Sequence, residues 1–514
     1  MRRWTGERIA AFLAGAALVA VVILIAALSV SAHFVTVHEG YENYPMNELV
    51  VFWMDNPLLS LAATAAALAA CLMLHALIQR GRRFHADKLL TALWLLAAMF
   101  WLWGAGVIPR ADSQQVVNAA LQFAKDDFSV LNTQYFSDYS FQLGFCLPLE
   151  IFARLCPQLD LAMSMQMFNA LMCAAMALVM GRFAQELGGG QRCRSAVLAL
   201  YLLFLPMPFY CTYVYGTIPM LFFTSLAFLF FAKHAKAGHR KDGFAFVLSI
   251  AVAVMLKPYA MVPLIALCIA AVLLAMRNRK WEGLFFAAAA AVLSVVLPKL
   301  VIWQYELRAG VKLCGDVSML SRLVMGFQRS ATGAGWFNNY TERFSPFVMA
   351  PQEARMLLLG DLREIFGAFV KAPGTLVQFM AEKNASLWLE PTYSALWHGA
   401  VSDVTGRFNG LANMVYLETG ALRLLLERVM DAFQQAMYVL ACIGVGSALK
   451  KRENPLEILL PVTVLGGFLY HMLFEAKSQY IFVYAFFLMP LAAQGLTVLE
   501  QAIGKAYARL RKAS

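Results

Sequence analysis

Asp112 is the first residue of this chain whose type and position suit catalysis. It follows an apolar run rich in aromatic residues and stands near the start of segment 109–139, which is dense in carboxylates and amides. A carboxylate in such a place can act as a general base that takes a proton from a hydroxyl or an amine. A structural alternative is that Asp112 caps a surface helix, with Gln115 at the third helical position. The other aspartates of the segment are most simply solvated loop residues: Asp126, Asp127 and Asp138.

Lys257 and Tyr259 lie in the short joint "LKPY", between two apolar half-segments. A lysine in an apolar setting is costly unless its charge finds a partner or water. The ammonium group therefore either snorkels to a nearby surface or holds an anion such as a phosphate. In the second case Tyr259 can donate a hydrogen bond to the same anion.

A second polar joint, "HMLFEAKSQYIFVY", contains His471, Glu475, Lys477 and Tyr480 between two apolar runs. Snorkelling and an internal pair between Glu475 and Lys477 would explain these residues adequately. Grouped with Asp112, however, they provide a base and a cationic pole. Reactions that expel a phosphate need this combination, because a base activates the acceptor and cations stabilise the charge on the departing phosphate.

The composition requires that membrane helices position these residues. Of the 514 residues, 61% are hydrophobic and only 14% are charged, whereas soluble domains carry about 25% charged residues. The mean hydropathy is +0.63, and many segments reach the roughly 20 apolar residues that a membrane-spanning helix needs. No segment alternates with the period of a barrel strand. The fold class is therefore predicted to be all-α, a polytopic transmembrane helical protein.

The basic residues predict the orientation of these helices. More than half of the 42 Lys and Arg residues fall in short clusters between apolar runs, and such clusters mark the cytoplasmic side. We expect both termini in the cytoplasm and the site outside, in the loops 31–57, 109–161, 210–219 and 304–431 and the short joints 257–259 and 474–480. The basic clusters lie at 2–8, 80–88, 182–194, 233–241, 277–280, 450–452 and 505–512. About twelve spans (roughly 11–13) are predicted, at 9–30, 58–78, 89–108, 162–180, 195–210, 217–232, 244–256, 260–276, 283–303, 432–449, 456–474 and 480–499.

Two outer segments need separate interpretation. Residues 141–156 are apolar enough to span, but counting them would turn the basic 181–194 loop outward, so an interfacial or re-entrant helix is predicted. The long stretch 304–431 mixes glycine-rich polar sequence with apolar pieces, and its pieces 376–389 and 411–426 are expected at the membrane surface.

Several functions are excluded by what the sequence contains. The net charge of +11 is spread over the short loops, which is a membrane-topology pattern and not a nucleic-acid footprint. There is no Walker A loop, no GxGxxG after a strand, no HExxH and no nucleophile elbow. The nine cysteines are scattered without a CxxC, and we interpret them as buried structural thiols. No metal site and no cofactor are predicted.

The order of these features resembles the GT-C class of polytopic glycosyltransferases. The closer likeness is to family 39, the protein-mannosyltransferase and aminoarabinose-transferase branch, in its bacterial, Firmicutes-type form. Two departures are that Ser113 follows Asp112 where a second acidic residue is common, and that Gln479 stands where an arginine is expected. The resembling segments are "ADSQQVVNAALQF" (111–123), "YFSDYSFQLGF" (135–145), "MFNALMCAAMALVMGRFAQELGG" (167–189), "VYGTIP" (214–219), "LKPYAMVPLIA" (256–266), "MGFQRSATGAGWFNNY" (325–340) and "HMLFEAKSQYIFVYAFFLMPLAAQGL" (471–496).

This resemblance implies an enzyme of the cell membrane that transfers a sugar from a polyprenyl-phosphate carrier, with inversion, to an acceptor on the outer face. The acceptor would be a cell-envelope glycan, lipid or protein, and membrane lipids would be further partners. Asp112 would be the base, and no metal would be needed. The residues implied to bind the donor's phosphate or sugar are Lys257, Tyr259, Arg329, Trp336, Asn338, Glu475, Lys477 and Tyr480.

Two other functions stay open, and the chain is predicted to have four parts, the first of which departs from the family pattern because the catalytic loop follows the third span and not the first. A flippase or transporter for lipid-linked saccharides would need no chemistry, and a glycan ligase or polymerase would rely more on Arg and His than on Asp. The four parts are a two-span N-terminal addition (1–88), a catalytic core (89–303), an outer or interfacial region (304–431) and a C-terminal three-span bundle with a cytoplasmic tail (432–514).

Overall fold

The computed structural model describes residues 6–42, 47–278, 281–399, 407–417, 419–451 and 455–513. Of the predicted basic clusters, residues 2–3, 279–280 and 452 lie outside the described residues.

Most of the described chain is helical, in agreement with the predicted class. The first helices are α1 (Gly6–Ala32), α2 (Pro57–Arg80), α3 (Ala86–Ala105), α4 (Ala111–Phe123), α5 (Gln134–Asp138), α6 (Leu143–Leu155), α7 (Leu161–Ala184), α8 (Gly190–Leu203), α9 (Pro206–Tyr210), α10 (Thr217–Ala237) and α11 (Arg240–Leu256). They are followed by α12 (Met261–Asn278), α13 (Glu282–Ala309), α14 (Met319–Gly326), α15 (Pro351–Lys371), α16 (Pro373–Trp388), α17 (Ala395–Gly399), α18 (Asn409–Tyr416), α19 (Arg423–Lys451), α20 (Leu459–Leu473) and α21 (Ser478–Ala513).

Ten helical stretches of the described chain are long and apolar enough to cross a membrane. One of them, 161–203, is bent at residues 185–190, where Gly188 has a φ of 99°. Its two arms, α7 and α8, fold back on each other and run antiparallel. A hydrogen bond from Tyr201 on α8 to the backbone carbonyl of Cys173 on α7 joins them. Eleven of the twelve predicted spans each fall mainly on one helix, including the shorter α11, whereas 195–210 covers the end of α8 and the short α9. The polytopic helical character is thus supported, while the number of crossings stays a prediction.

The outer helices present apolar side chains to their surroundings. On α2, for example, Leu58 is 77% exposed and Met73 is 67% exposed, which in water would be an aggregation hazard. By contrast, most of the apolar stretch of α21 is buried inside the bundle. An apolar exterior around a close-packed centre is the arrangement that a lipid environment stabilises.

The central pair α19 and α21 cross at two glycines. A Cβ atom on Gly495 would lie 1.8 Å from the carbonyl oxygen of Leu440, and one on Gly444 would lie 2.0 Å from that of Leu491. The two backbones are therefore in direct contact, as small residues allow in membrane helices.

Gly495→Ala is expected to destabilise the protein, because the added methyl group must push the two backbones apart. Overpacking of this kind costs about 1–3 kcal/mol. Gly446→Ala is the matched control on α19, since a Cβ at Gly446 has no atom within 4 Å. Thermal unfolding of the detergent-solubilised protein measures both. A midpoint for Gly495→Ala equal to that of Gly446→Ala would contradict the close crossing.

A β-hairpin, β1 (Val35–Glu42) and β2 (Asn47–Met54), connects α1 to α2 and is an addition to the predicted all-α fold. The strands are antiparallel, with Val37 opposite Phe52. Two backbone bonds attach the hairpin to the rest of the molecule: Val37 N–H to the carbonyl of Leu389 (3.0 Å) and Val50 N–H to that of Thr332 (3.1 Å). The first loop of the chain is thereby joined to the 304–431 region.

The segment 141–156 forms α6, which has 13 residues and a length of about 20 Å. This is shorter than the roughly 30 Å hydrocarbon core, and the interfacial or re-entrant placement stays a prediction.

Candidate active site

A polar cavity of about 620 Å³ lies at one end of the helix bundle. It is formed where α3 passes into α4, α11 into α12, and α20 into α21, beneath the hairpin strand β2. Seven of the nine candidate site residues line it although they are scattered along the chain: Asp112, Lys257, Tyr259, Asn338, Glu475, Lys477 and Tyr480.

Asp112 lies in the first turn of α4, and its carboxylate is open to the cavity. The N-cap residue of α4 is Arg110, so the capping alternative for Asp112 is wrong. The helix start still favours a negative charge there, because unpaired backbone N–H groups point toward it. Tyr215 Oη donates a hydrogen bond of 2.9 Å to Asp112 Oδ2. The carboxylate is therefore held by one partner while it remains accessible to a bound molecule.

Tyr215 connects Asp112 to the cation at the end of α11. Gln142 donates to its hydroxyl oxygen, and Lys257 Nζ donates to its backbone carbonyl at 3.0 Å while lying 3.1 Å from the ring centre. Gly216 makes this turn possible: its φ is +82°, and an added Cβ would lie 2.9 Å from the carbonyl oxygen of Leu256. Tyr215 therefore fixes the orientation of the Asp112 carboxylate, the candidate base.

Lys257 is buried and makes no direct ion pair among the described residues. Burial holds its pKa well below the usual lysine range, and the nearby Asp112 carboxylate opposes that shift. The snorkelling alternative does not fit, because the side chain of Lys257 is buried. Lys257 is a fixed part of the wall that supports Tyr215 and Asp112.

Lys477 is neutralised by a carboxylate that sequence reasoning missed. Its Nζ donates to Glu48 Oε1 on β2 and lies 4.0 Å from the ring centre of Trp397. Burial lowers the pKa of Lys477, but Glu48 and Glu39 more than offset this, and the pKa is raised overall. The internal pair with Glu475 is therefore not formed; Glu475 instead accepts a 2.7 Å hydrogen bond from Tyr480.

Arg322, on α14, is a second cavity residue that the sequence did not reveal. Its guanidinium carbon lies 5.5 Å from the ring centre of Tyr139. Among the described residues it has no ion pair of 4.0 Å or less. Burial lowers the pKa of Arg322, but Tyr139, Glu475 and other neighbouring acidic groups more than offset this, and the pKa is raised overall. Burial raises the pKa of Glu475 in turn, and Tyr480 and Arg322 oppose this. Arg322 is thus a cavity cation whose hydrogen-bond donors are available to a ligand.

Aromatic rings cover much of the remaining wall. Flat apolar faces with a few fixed polar groups are typical of small-molecule sites, and the hydroxyl groups add hydrogen bonds at the rims of the rings. The lining aromatic residues are Tyr135, Phe141, Tyr139, Tyr210, Tyr213, Tyr215, Tyr259, Phe337, Trp397 and Tyr480.

Two candidate residues lie outside the cavity. Arg329 pairs with Glu382 beside a separate groove between α15 and α16. Trp336 is buried, and its indole N–H donates to Ser386 Oγ at 3.1 Å. Neither side chain reaches the cavity that holds Asp112.

The aspartates that follow Asp112 differ from each other. Asp126 is exposed and pairs with Arg154 at 2.5 Å, whereas Asp138 is buried, so its prediction as a solvated loop residue is wrong. Its carboxylate accepts hydrogen bonds from Ser345 Oγ and from Gln134 Nε2. Asp138 therefore joins the loop after α4 to the 304–431 region and is a structural residue.

Glu39, on β1, is buried, and neither of its carboxylate oxygens accepts a hydrogen bond of 3.5 Å or less from the described residues. Burial raises its pKa to about 8, even though Lys477 acts in the opposite direction. This side chain is therefore mostly protonated at neutral pH.

Stability is expected to fall as the pH rises because of Glu39. Its pKa is higher in the folded than in the unfolded chain, so its contribution is complete below about pH 4.5 and is lost as the pH rises through about 8. Glu39→Gln should remove this loss and unfold at a higher temperature than wild type at pH 8, with little difference at pH 5. Thermal unfolding at both pH values tests it, with the exposed Glu353→Gln as control. A parallel pH dependence in wild type and Glu39→Gln would contradict a buried, protonated Glu39.

The fold and the cavity together define the class: a polytopic helical membrane protein with a polar, aromatic-lined cavity at one end of its bundle. Among the described residues there is no group of three or more His, Cys, Asp and Glu placed to hold a metal ion. No protein-family model and no curated protein matches the chain.

Proposed function

We propose that this protein is an integral-membrane glycosyltransferase of the GT-C type. It would transfer a sugar from a polyprenyl-phosphate carrier to an acceptor on the extracytoplasmic face of the cell membrane. The observation that carries the proposal is the cavity shared by Asp112, an accessible carboxylate, and Arg322, a cation that has no ion-pair partner in the part of the chain that the structure describes. A base and a cation facing one space are what a displacement with a phosphate leaving group requires.

In the proposed reaction Asp112 takes the proton of the acceptor hydroxyl or amine. The freed electron pair forms the new bond to the anomeric carbon of the sugar, while the bond from that carbon to the phosphate oxygen breaks. The phosphate leaves with the bonding electrons, and the guanidinium of Arg322 stabilises its added charge. Attack from the side opposite the leaving group inverts the configuration at this carbon.

The two lysines receive more limited roles than the resemblance implies. Lys477 already faces Glu48, so little of its charge is left for a ligand. Lys257 already contacts the backbone carbonyl and the ring of Tyr215. It therefore positions Tyr215, which in turn holds the candidate base Asp112. Arg322 is therefore preferred as the main phosphate-binding residue.

The aromatic wall suits the sugar. Tyr259 and Tyr480 lie edge to face, with ring centres 5.2 Å apart, and both border the cavity next to Glu475. Asn338 lies on the same wall and is oriented by Gln328, whose Oε1 accepts its Nδ2 hydrogen bond at 2.9 Å. These groups offer the rings and hydrogen-bond partners that a pyranose uses.

The test is turnover of polyprenyl-phosphate sugars by the purified full-length protein in nanodiscs. Extracted cell-envelope lipids supply the donors, cell-envelope material supplies acceptors, and mass spectrometry follows release of the free polyprenyl phosphate. Release that depends on the protein and adds a single sugar to an acceptor supports the proposal. Absence of release in nanodiscs, together with movement of intact lipid-linked sugar across the bilayer of sealed proteoliposomes, would establish a flippase instead. Addition of a preassembled chain of sugars would establish a ligase or polymerase.

A further inference from the structure

A second polar pocket, here called the basic pocket, lies at the other end of the bundle. It measures about 350 Å³ and is formed where α2 ends, α3 begins, and α7 turns into α8. Asp87 borders it at the start of α3, whereas Asp112 lies shortly after the end of the same helix. Since the 20 residues of α3 rise about 30 Å, the basic pocket and the Asp112 cavity are about one bilayer core apart.

The basic pocket carries a large excess of positive charge. Its lining includes the four cations Arg82, Lys88, Arg182 and Arg194, and Asp87 is its single carboxylate. Arg194 uses that carboxylate, in a 2.8 Å ion pair. The other three cations have no acidic partner within 4.0 Å among the described residues. Like charges that converge on one space without counter-charges repel each other unless an anion joins them.

The inner part of the basic pocket is apolar, with Ile78, Leu178 and Leu198 in its lining. Beside it, Phe84 is 82% exposed and Leu77 is 57% exposed. A free anion would use only the cations and would gain nothing from these surfaces. A molecule with an anionic head and a hydrocarbon tail fits both.

We propose that the basic pocket binds an anionic phospholipid of the cytoplasmic leaflet, with its phosphate among Arg82, Lys88 and Arg182 and its acyl chains along Phe84 and the outer face of α2. Basic pockets between membrane helices bind lipid headgroups in this way. The ion pair of Arg194 with Asp87 joins α8 to α3 and so stabilises the wall of the basic pocket. This site is independent of the chemistry proposed for the Asp112 cavity.

The test compares two triple variants of the full-length protein with the same loss of charge. Arg82→Gln/Lys88→Gln/Arg182→Gln removes the three cations of the basic pocket that form no ion pair with a described residue. Arg83→Gln/Arg192→Gln/Lys241→Gln removes basic residues that do not line it. Binding is measured by the retention of phosphatidylglycerol in native mass spectra and by the rise in unfolding temperature between phosphatidylcholine nanodiscs with and without phosphatidylglycerol.

Wild type and the second variant should retain phosphatidylglycerol and gain stability from it. The first variant should bind it more weakly, by roughly fivefold for each charge removed. Equal losses in the two variants would show general surface attraction and overturn the proposal. Equal protection of detergent-solubilised wild type by inorganic phosphate alone, with no added effect of the lipid, would overturn it in favour of a soluble anion. If the first variant does not fold, Arg182→Gln against Arg192→Gln decides by the same two measurements.

Discussion

Asp112→Asn is expected to lower the rate of sugar transfer by about a hundredfold to ten-thousandfold, the usual contribution of a general base. The amide can still accept the hydrogen bond of Tyr215, so the turn and the cavity wall should keep their shape. What the variant loses is the ability to take a proton from the acceptor. Steady-state transfer rates at saturating donor measure the effect, and unfolding temperatures verify the fold.

The matched control is Asp126→Asn, because Asp126 belongs to the same segment but is exposed and paired with Arg154. It should leave the transfer rate within about twofold of wild type, as surface changes usually do. An Asp112→Asn protein that folds and transfers sugar at the wild-type rate would rule out the proposed base. Transfer by both variants at equally low rates would point to loss of fold instead.

Arg322→Gln is expected to reduce the transfer rate by roughly a hundredfold to a thousandfold, the typical cost of removing one donor that stabilises developing charge. The reason is that Arg322 lines the cavity without an ion-pair partner among the described residues, so its charge is available to the phosphate. Glutamine keeps much of the length and the polar end of the side chain but cannot carry the charge. The effect should appear in kcat, because the phosphate gains charge as the bond to the sugar breaks.

Arg329→Gln is the control for this prediction. It tests whether Arg329, which the family resemblance implies, or Arg322, which lines the cavity, binds the phosphate. The resemblance assigns Arg329 to the phosphate, whereas the structure places it outside the cavity in a pair with Glu382. The transfer rate of Arg329→Gln should stay near wild type. A larger loss for Arg329→Gln than for Arg322→Gln would reverse these assignments.

The buried charges illustrate why sequence reasoning could not complete the site. The sequence shows Lys477 as a polar residue between apolar runs, but its partner Glu48 lies 429 positions away. Glu48 belongs to a hairpin that no repeat or motif in the sequence predicts. Arg322 stands in a short helix within a long mixed segment, where nothing local separates it from Arg329. The pairing of charges depends on which loops meet, and loops carry no periodic pattern.

The burial of Asp138 likewise could not be predicted from the sequence. A carboxylate in a polar stretch is expected in water, and Asp126 of the same stretch follows this rule. Asp138 is buried because Ser345 packs over it from the 304–431 region. Only the fold of that distant region decides which of two similar aspartates becomes structural.

The sequence by itself determined the helical, multi-pass character and the approximate position of most apolar helices. Its physical basis is local: a run of about 20 apolar residues must satisfy its own backbone hydrogen bonds in lipid, which only a helix does within one segment. It also placed Asp112, Lys257 and Glu475 at helix ends, where polar residues can collect. The tertiary structure decided which ends meet, that Tyr215 holds Asp112, and that Glu48 rather than a ligand faces Lys477. These contacts join residues far apart in the chain, so their energies depend on packing that no single segment contains.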